Sequence, residues 1–247
     1  MREVAAAVAE PIGRLGGAFM ISREAKAYAA EVGLDGWAPY FRGRCGVLGD
    51  VDADVVASAA GFFPAETVRE AWDAGTGLSA ATAAARYAVV AHDFGRRKLT
   101  GFTESARLAE LLRLVVDGGD TVGAPLFAGW RAMRLPENDR AQVIQLAHVV
   151  RELRGGLHVV AVLASGLSPL EAVLSGTSAL LDNGEPNAEY FGWPRPYPEV
   201  TEEVRRRRAD AERLTDELMA PAFAALDETE ANELVALLKK AEQAVFG

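Results

Sequence analysis

Nowhere in this chain do apolar and polar residues alternate with period two for more than a few positions. Such alternation is what a half-buried β-strand writes into a sequence, and without it a sheet has no face to bury. Apolar residues recur instead at three- and four-residue spacing. Leu108, Leu111, Leu112 and Val115 share one helical face, as do Leu234, Leu237, Leu238, Ala241 and Val245. Half of the residues are hydrophobic, enough for a sizeable core. The expected class is all-α, and 247 residues leave room for one large or two small domains.

The chain reads as organised around Arg151 to Ala179, RELRGGLHVVAVLASGLSPLEAVLSGTSA. Gly155-Gly156 is expected to break the chain, making Leu157 to Ser165 a short buried helix with His158 at its head. Gly166 can take a positive φ and end that helix. Ser168 is the expected N-cap, with Pro169 at the first helical position and Glu171 closing a capping box. Two helices joined at a glycine-centred turn make a helix-turn-helix unit. An ordinary αα corner with no DNA role has the same pattern.

The unit has an echo. Gly33-Leu34-Asp35 matches Gly166-Leu167-Ser168, and Trp37, Tyr40, Phe41 and Gly43 fall where Leu170, Val173, Leu174 and Gly176 stand, at constant offset. The expectation is two divergent copies of one helical module, 1–98 and 99–247, packed as one compact body. Further helices are expected at 3–17, kinked or split by Pro11 and Gly13, at 22–32, and at 79–97, closed by Gly95. Others are expected at 103–116, 122–133, 139–153, 199–219 and 228–246. Asp182 to Pro198, with prolines at 194, 196 and 198, is the most loop-like segment.

The net charge is −9, with a pI of about 5.0. Residues 1–100 carry 11 basic and 12 acidic side chains, residues 101–198 carry 8 and 11, and residues 199–247 carry 7 and 12. No region is net basic, which disfavours nucleic acid as a partner. The single cysteine, Cys45, excludes an internal disulfide. With no signal h-region and no membrane-length apolar run, the expected location is cytoplasmic.

The segment GLDGWAPYFRGRCGVLGDVDADVVASAAGFFPAETVREAW resembles an actinobacterial family known mainly as SalK-like or helix-turn-helix family proteins. The family pattern runs GL-x-G, YF-x-GR-x-x-x-LG-x-V, F-x-P-x-x-V and a closing Trp. The stretch from Arg151 is similar to the same family's RE-H-R-G-D-G-H segment, with Leu153 and Gly156 standing where the family tends to have a second His and an Asp. The resemblance covers roughly residues 20–245. It implies two winged-helix-like modules, with wings reduced or absent here. It carries over Tyr40, Phe41, Gly43, Arg44, Leu48, Gly49, Trp72, Arg151, Glu152, Arg154, Gly155 and His158. The closing helices also resemble, in pattern only, the dimerisation helices of MarR-type regulators.

Several residues are candidates for chemistry. His158, at a helix start with Arg151 and Arg154 upstream, suits an anionic group; otherwise it fills the contact between modules. Arg44 could clamp a carboxylate or phosphate, or tie down the Gly-rich loop. Cys45 would need a base to act as a nucleophile. His92, His148 and His158 lack the spacing of a metal set, so no metal and no cofactor is expected. Arg205 to Arg208 reads as a helix laced to Glu202, Glu203, Asp210 and Glu212. Phosphate-loop, dinucleotide and hydrolase motifs are not found.

The leading expectation is a non-catalytic small-molecule-binding or regulatory protein. Its ligand, an unknown small molecule for which an anion is one option, would lie between the modules against Tyr40, Arg44, Trp72, Arg154, His158 and Trp193. One alternative is a transcription regulator reading DNA with 168–177 or 199–212. Another is a biosynthetic enzyme using His158 as general base. A homodimer through the last two helices is an assembly that the pattern allows.

Overall fold

The computed structural model describes residues 1–177 and 183–247. Among these residues there are thirteen α-helices and no strand. In order they are α1 (Arg2–Gly17), α2 (Arg23–Val32), α3 (Ala38–Cys45), α4 (Ala53–Ala60), α5 (Ala65–Ala74), α6 (Ala80–Lys98) and α7 (Ser105–Gly118). There follow α8 (Pro125–Arg131), α9 (Asp139–Ala164), α10 (Pro169–Ser175), α11 (Glu185–Tyr190), α12 (Glu202–Met219) and α13 (Glu228–Phe246). The protein is all-α with a helix-turn-helix type of fold. Ser178, Ala179 and Asp182, at the ends of two stretches read from the sequence, lie outside the described residues.

Helix α9 is the axis of the molecule. It packs against α1, α6, α7, α8 and α12. From Ala141 to Val150 all but Gln142 are buried, as expected of a helix surrounded on every side. Two neighbours approach through glycine: a Cβ on Gly16 would lie 2.6 Å from the Ala147 carbonyl oxygen, and one on Gly95 would lie 2.5 Å from that of Arg140. The largest apolar core draws on residues from Ala5 to Val245, and two small clusters sit around α10, α11 and α12.

Start signals in the sequence act as written. Ser22, Asp52, Ser79, Thr201 and Asn138 each accept a hydrogen bond from a first-turn amide. Ser168–Glu171 and Asp227–Glu230 form capping boxes. Gly33 and Gly166 take φ of 67° and 73°. Each closes its helix in the same way, with Leu34 N–H donating to Ala29 O and Leu167 N–H to Val162 O at 3.2 and 3.1 Å. α9 and α10 meet at 106°, within the roughly 90–120° of a helix-turn-helix.

Several expectations are corrected. Gly155-Gly156 does not break the chain: α9 runs unbroken for 26 residues from Asp139 to Ala164. Packing along most of its length outweighs the propensity cost of two glycines. Gly156 instead lets α9 touch the start of α8, where a Cβ would lie 2.7 Å from Ala124 Cα. Pro11 sits buried inside an undivided α1. Gly95 lies within α6, which continues to Lys98. Asp35, which the echo sets opposite the N-cap Ser168 and so makes the expected start of the next helix, does not hold that place: Trp37 precedes α3. The segment after Asp182 contains α11.

Arg2–Ile21 reaches a mean hydropathy of 1.3, and by length and composition it is apolar enough to cross a membrane. Half of it is buried within this fold, against α9 and α13.

Candidate functional site

A cleft of about 1460 Å³ runs along α9. α9 supplies Arg151, Glu152, Arg154, Gly155 and His158 to one wall. Ile12, Tyr28, Tyr40, Arg44 and Tyr87 come from α1, α2, α3 and α6. Phe62 and Phe63 after α4, Tyr190 and Phe191 at α11, and Arg208 and Glu212 on α12 complete it.

At one end, Arg44 reaches across to Glu152. Its Nε donates to Oε1 at 2.9 Å and its Nη2 to Oε2 at 2.7 Å, a two-armed pair. The remaining Nη1 donates to the Tyr40 hydroxyl at 3.0 Å, and Arg151 donates to Glu152 Oε1 at 2.8 Å. Burial raises the Glu152 carboxyl, but Arg44 and Arg151 outweigh it and hold the group at about 2. Arg44 therefore ties two distant helices together. The loop after α3 is held instead by Arg42, which donates to Asp50 and to the Leu78 carbonyl and lies 4.2 Å over the Trp72 ring.

At the other end, the expected helix start at His158 is replaced by the interior of α9, so His158 does not stand at a helix N-terminus. Thr215 Oγ1 spends its proton on the Ala211 carbonyl at 2.7 Å, so it accepts from His158 Nδ1 at 2.8 Å. Nδ1 thus carries the hydrogen, and Nε2 accepts from Arg208 Nη1 at 2.7 Å. Burial, with Arg208 and Arg154 nearby, pushes the imidazole down to about 3. His158 is neutral and held from both sides. Arg154 is neutralised in turn, by Asp216 at 2.8 Å and Glu212 at 2.9 Å.

Of the six residues singled out from the sequence, Tyr40, Arg44, Arg154 and His158 line this cleft. Trp72 lies apart under Arg42, its indole N–H donating to Val51 O at 2.9 Å. Trp193 packs in a small cluster beside Val173 and Leu174, donating to Phe62 O at 3.0 Å. Tyr28, Tyr87, Arg208 and Thr215 were not anticipated. For the α12 pair a signal existed: Val204, Ala211, Thr215 and Met219 are the buried positions of that helix, and Arg208 falls on their stripe. Arg205, Arg206 and Arg207 face solvent and pair with Glu202 and Glu203.

The other candidates find local partners. His92 bonds Gln145 at 2.7 Å. His148 bonds the Gly16 carbonyl at 3.1 Å, and its pKa is pushed down to about 3, chiefly by burial. Among the described residues no three His, Cys, Asp or Glu side chains gather into a metal site. Burial pushes the Cys45 thiol up to about 12, which leaves it protonated and inert.

The model of the family described as "Helix-turn-helix family" matches residues 5–247. The chain belongs to this family. No curated protein and no solved structure is similar enough to count as a match. In this helix-turn-helix family protein the second helix of the unit, α10, reads PLEAVLS, with Ala172, Val173 and Leu174 buried. It carries no basic or amide side chain to offer a base edge or a phosphate.

Proposed function

We propose that this chain is a non-catalytic, small-molecule-binding protein of regulatory type, with its ligand in the cleft between two helical modules, 1–98 and 99–247. One observation carries the reading. The helices around α9 leave a cleft of about 1460 Å³ with largely apolar and aromatic walls, into which Tyr40, Arg44, Arg154 and His158 bring polar groups. Apolar walls with a few polar groups are the usual make-up of a ligand site.

The reading treats α2–α3 and α9–α10 as divergent copies of one unit, supported by the identical closure at Gly33 and Gly166. The finer assignment to the SalK-like group rests on the Tyr40 to Gly49 motif. A homodimer through α12 and α13 belongs to the same proposal. The general-base alternative for His158 finds less support, because Arg208 already occupies its Nε2 lone pair.

Gly155 provides the test. It lines the cleft, and a Cβ there meets nothing within 4 Å. Gly155→Trp should obstruct the cleft between Arg151 and His158 without disturbing the fold. Wild-type protein is expected to enhance the fluorescence of 1-anilinonaphthalene-8-sulfonate saturably, and Gly155→Trp to lose that response. Equal dye binding by a folded Gly155→Trp protein contradicts the reading.

A further inference from the structure

The cleft has a chemical bias that narrows its occupant. Its lining includes five basic side chains, Lys26, Arg44, Arg151, Arg154 and Arg208, against three carboxylates, Glu10, Glu152 and Glu212, in a protein of net charge −9. The excess is localised. At the His158 end, Arg154 and Arg208 are matched by Glu212 and Asp216. At the other end, Arg44 and Arg151 share the single carboxylate of Glu152. His148, 3.6 Å from Glu152, adds no charge, because burial keeps it neutral. One positive charge is left over, and because both arms of Arg44 are spent on Glu152 it resides on Arg151, which is partly exposed in the wall. A half-covered guanidinium is a ready donor to an anion.

The neighbours of that charge are hydrogen-bond donors. The Tyr87 hydroxyl, within range of the Arg44 and Arg151 charges, is buried without a partner, and behind it Tyr28, its ring 5.6 Å from that of Tyr87, faces the charges of Arg86 and Arg42 instead. Tyr40 accepts from Arg44, which leaves its own O–H to donate. Burial raises all three phenols, so each keeps its proton at ordinary pH. Beside them the wall is aromatic. Trp37 lies 5.4 Å from Tyr40 and 5.0 Å from Phe63, and Phe63 lies 4.4 Å from Phe191.

We propose that the cleft takes an aromatic or polycyclic monocarboxylate. Its carboxylate meets Arg151 beside the Tyr40 hydroxyl, and its ring body lies against Trp37, Phe63 and Phe191. The inference rests on the cleft being the binding site. A single surplus charge, with Glu152 in the same wall, suits a monoanion better than a dianion.

The test is calorimetric titration of the full chain with 2-naphthoate and with its uncharged near-isostere 2-naphthamide. Naphthoate is expected to bind about tenfold tighter or better, the size of a charged hydrogen bond. Arg151→Gln, at a partly exposed side chain, should erase that preference and leave naphthamide unchanged. Gly155→Trp should abolish both titrations. Equal affinity of the two probes, or a preference that survives Arg151→Gln, overturns the carboxylate assignment and leaves the cleft reading standing. Binding of neither probe overturns both.

Discussion

Arg44 and Glu152 stand 108 positions apart and form a two-armed ion pair, at 2.9 and 2.7 Å, with both side chains almost wholly removed from solvent. The pair joins α3 to α9, and Trp130 braces it by donating its indole N–H to the Arg44 carbonyl at 2.9 Å. Removing one partner leaves a buried charge uncompensated, which costs about 3–5 kcal/mol. Glu152→Gln is therefore expected to lower stability by that amount in urea denaturation. Arg151→Gln, at the exposed edge of the same cluster, should cost well under half as much.

The adjacent glycines of α9 should respond in opposite ways. Gly155 has open space where a Cβ would stand, so Gly155→Ala should gain about 0.5–1 kcal/mol from helix propensity. A Cβ on Gly156 would lie 2.7 Å from Ala124 Cα and 3.0 Å from Gly123 O, both backbone. Gly156→Ala should lose about 1–3 kcal/mol to overpacking. Thermal melts of the two variants against wild type decide the sign.

Stability should fall on mild acidification. His148 and His158 have folded pKa values near 3 against a reference of 6.5. Between these values the unfolded chain binds protons that the folded chain does not. Their contribution is complete above pH 6.5 and is lost as pH drops toward 3, at about 1.4 kcal/mol per pH unit for each histidine. His158→Gln can still donate to Thr215 and accept from Arg208. It should reduce the slope by about one proton between pH 6.5 and 5, read from denaturation midpoints across that range.

Duplex DNA should bind weakly, if at all. α10 presents no basic side chain, and the exposed arginines of α12 are already paired with glutamates. Fluorescence anisotropy of a labelled duplex at low salt should stay flat through micromolar protein. A saturable, salt-sensitive rise would restore the transcription-regulator reading.

What the sequence made legible was local. Ser22, Ser79, Ser168 and Asp227 announce helix starts because capping is a contact within four residues. Gly33 and Gly166 announce stops because only glycine takes positive φ without strain. The Gly155-Gly156 pair misleads for the complementary reason. Local propensity favours a break there, whereas burial of α9 by five neighbouring helices is a tertiary effect with no local mark. The site divides along the same line. Arg44 and His158 stand out as residue types, but their partners Glu152, Thr215 and Arg208 lie 108, 57 and 50 positions away. Only the α12 stripe hinted that one arginine of four turns inward.

The most direct measurement is native mass spectrometry of wild-type and Gly155→Trp protein, each incubated with a small-molecule extract of the cells that make it. The account predicts a bound small molecule on wild type, released on denaturation and missing from Gly155→Trp. Wild-type protein that stays at its bare mass, or the same adduct on both proteins, contradicts it.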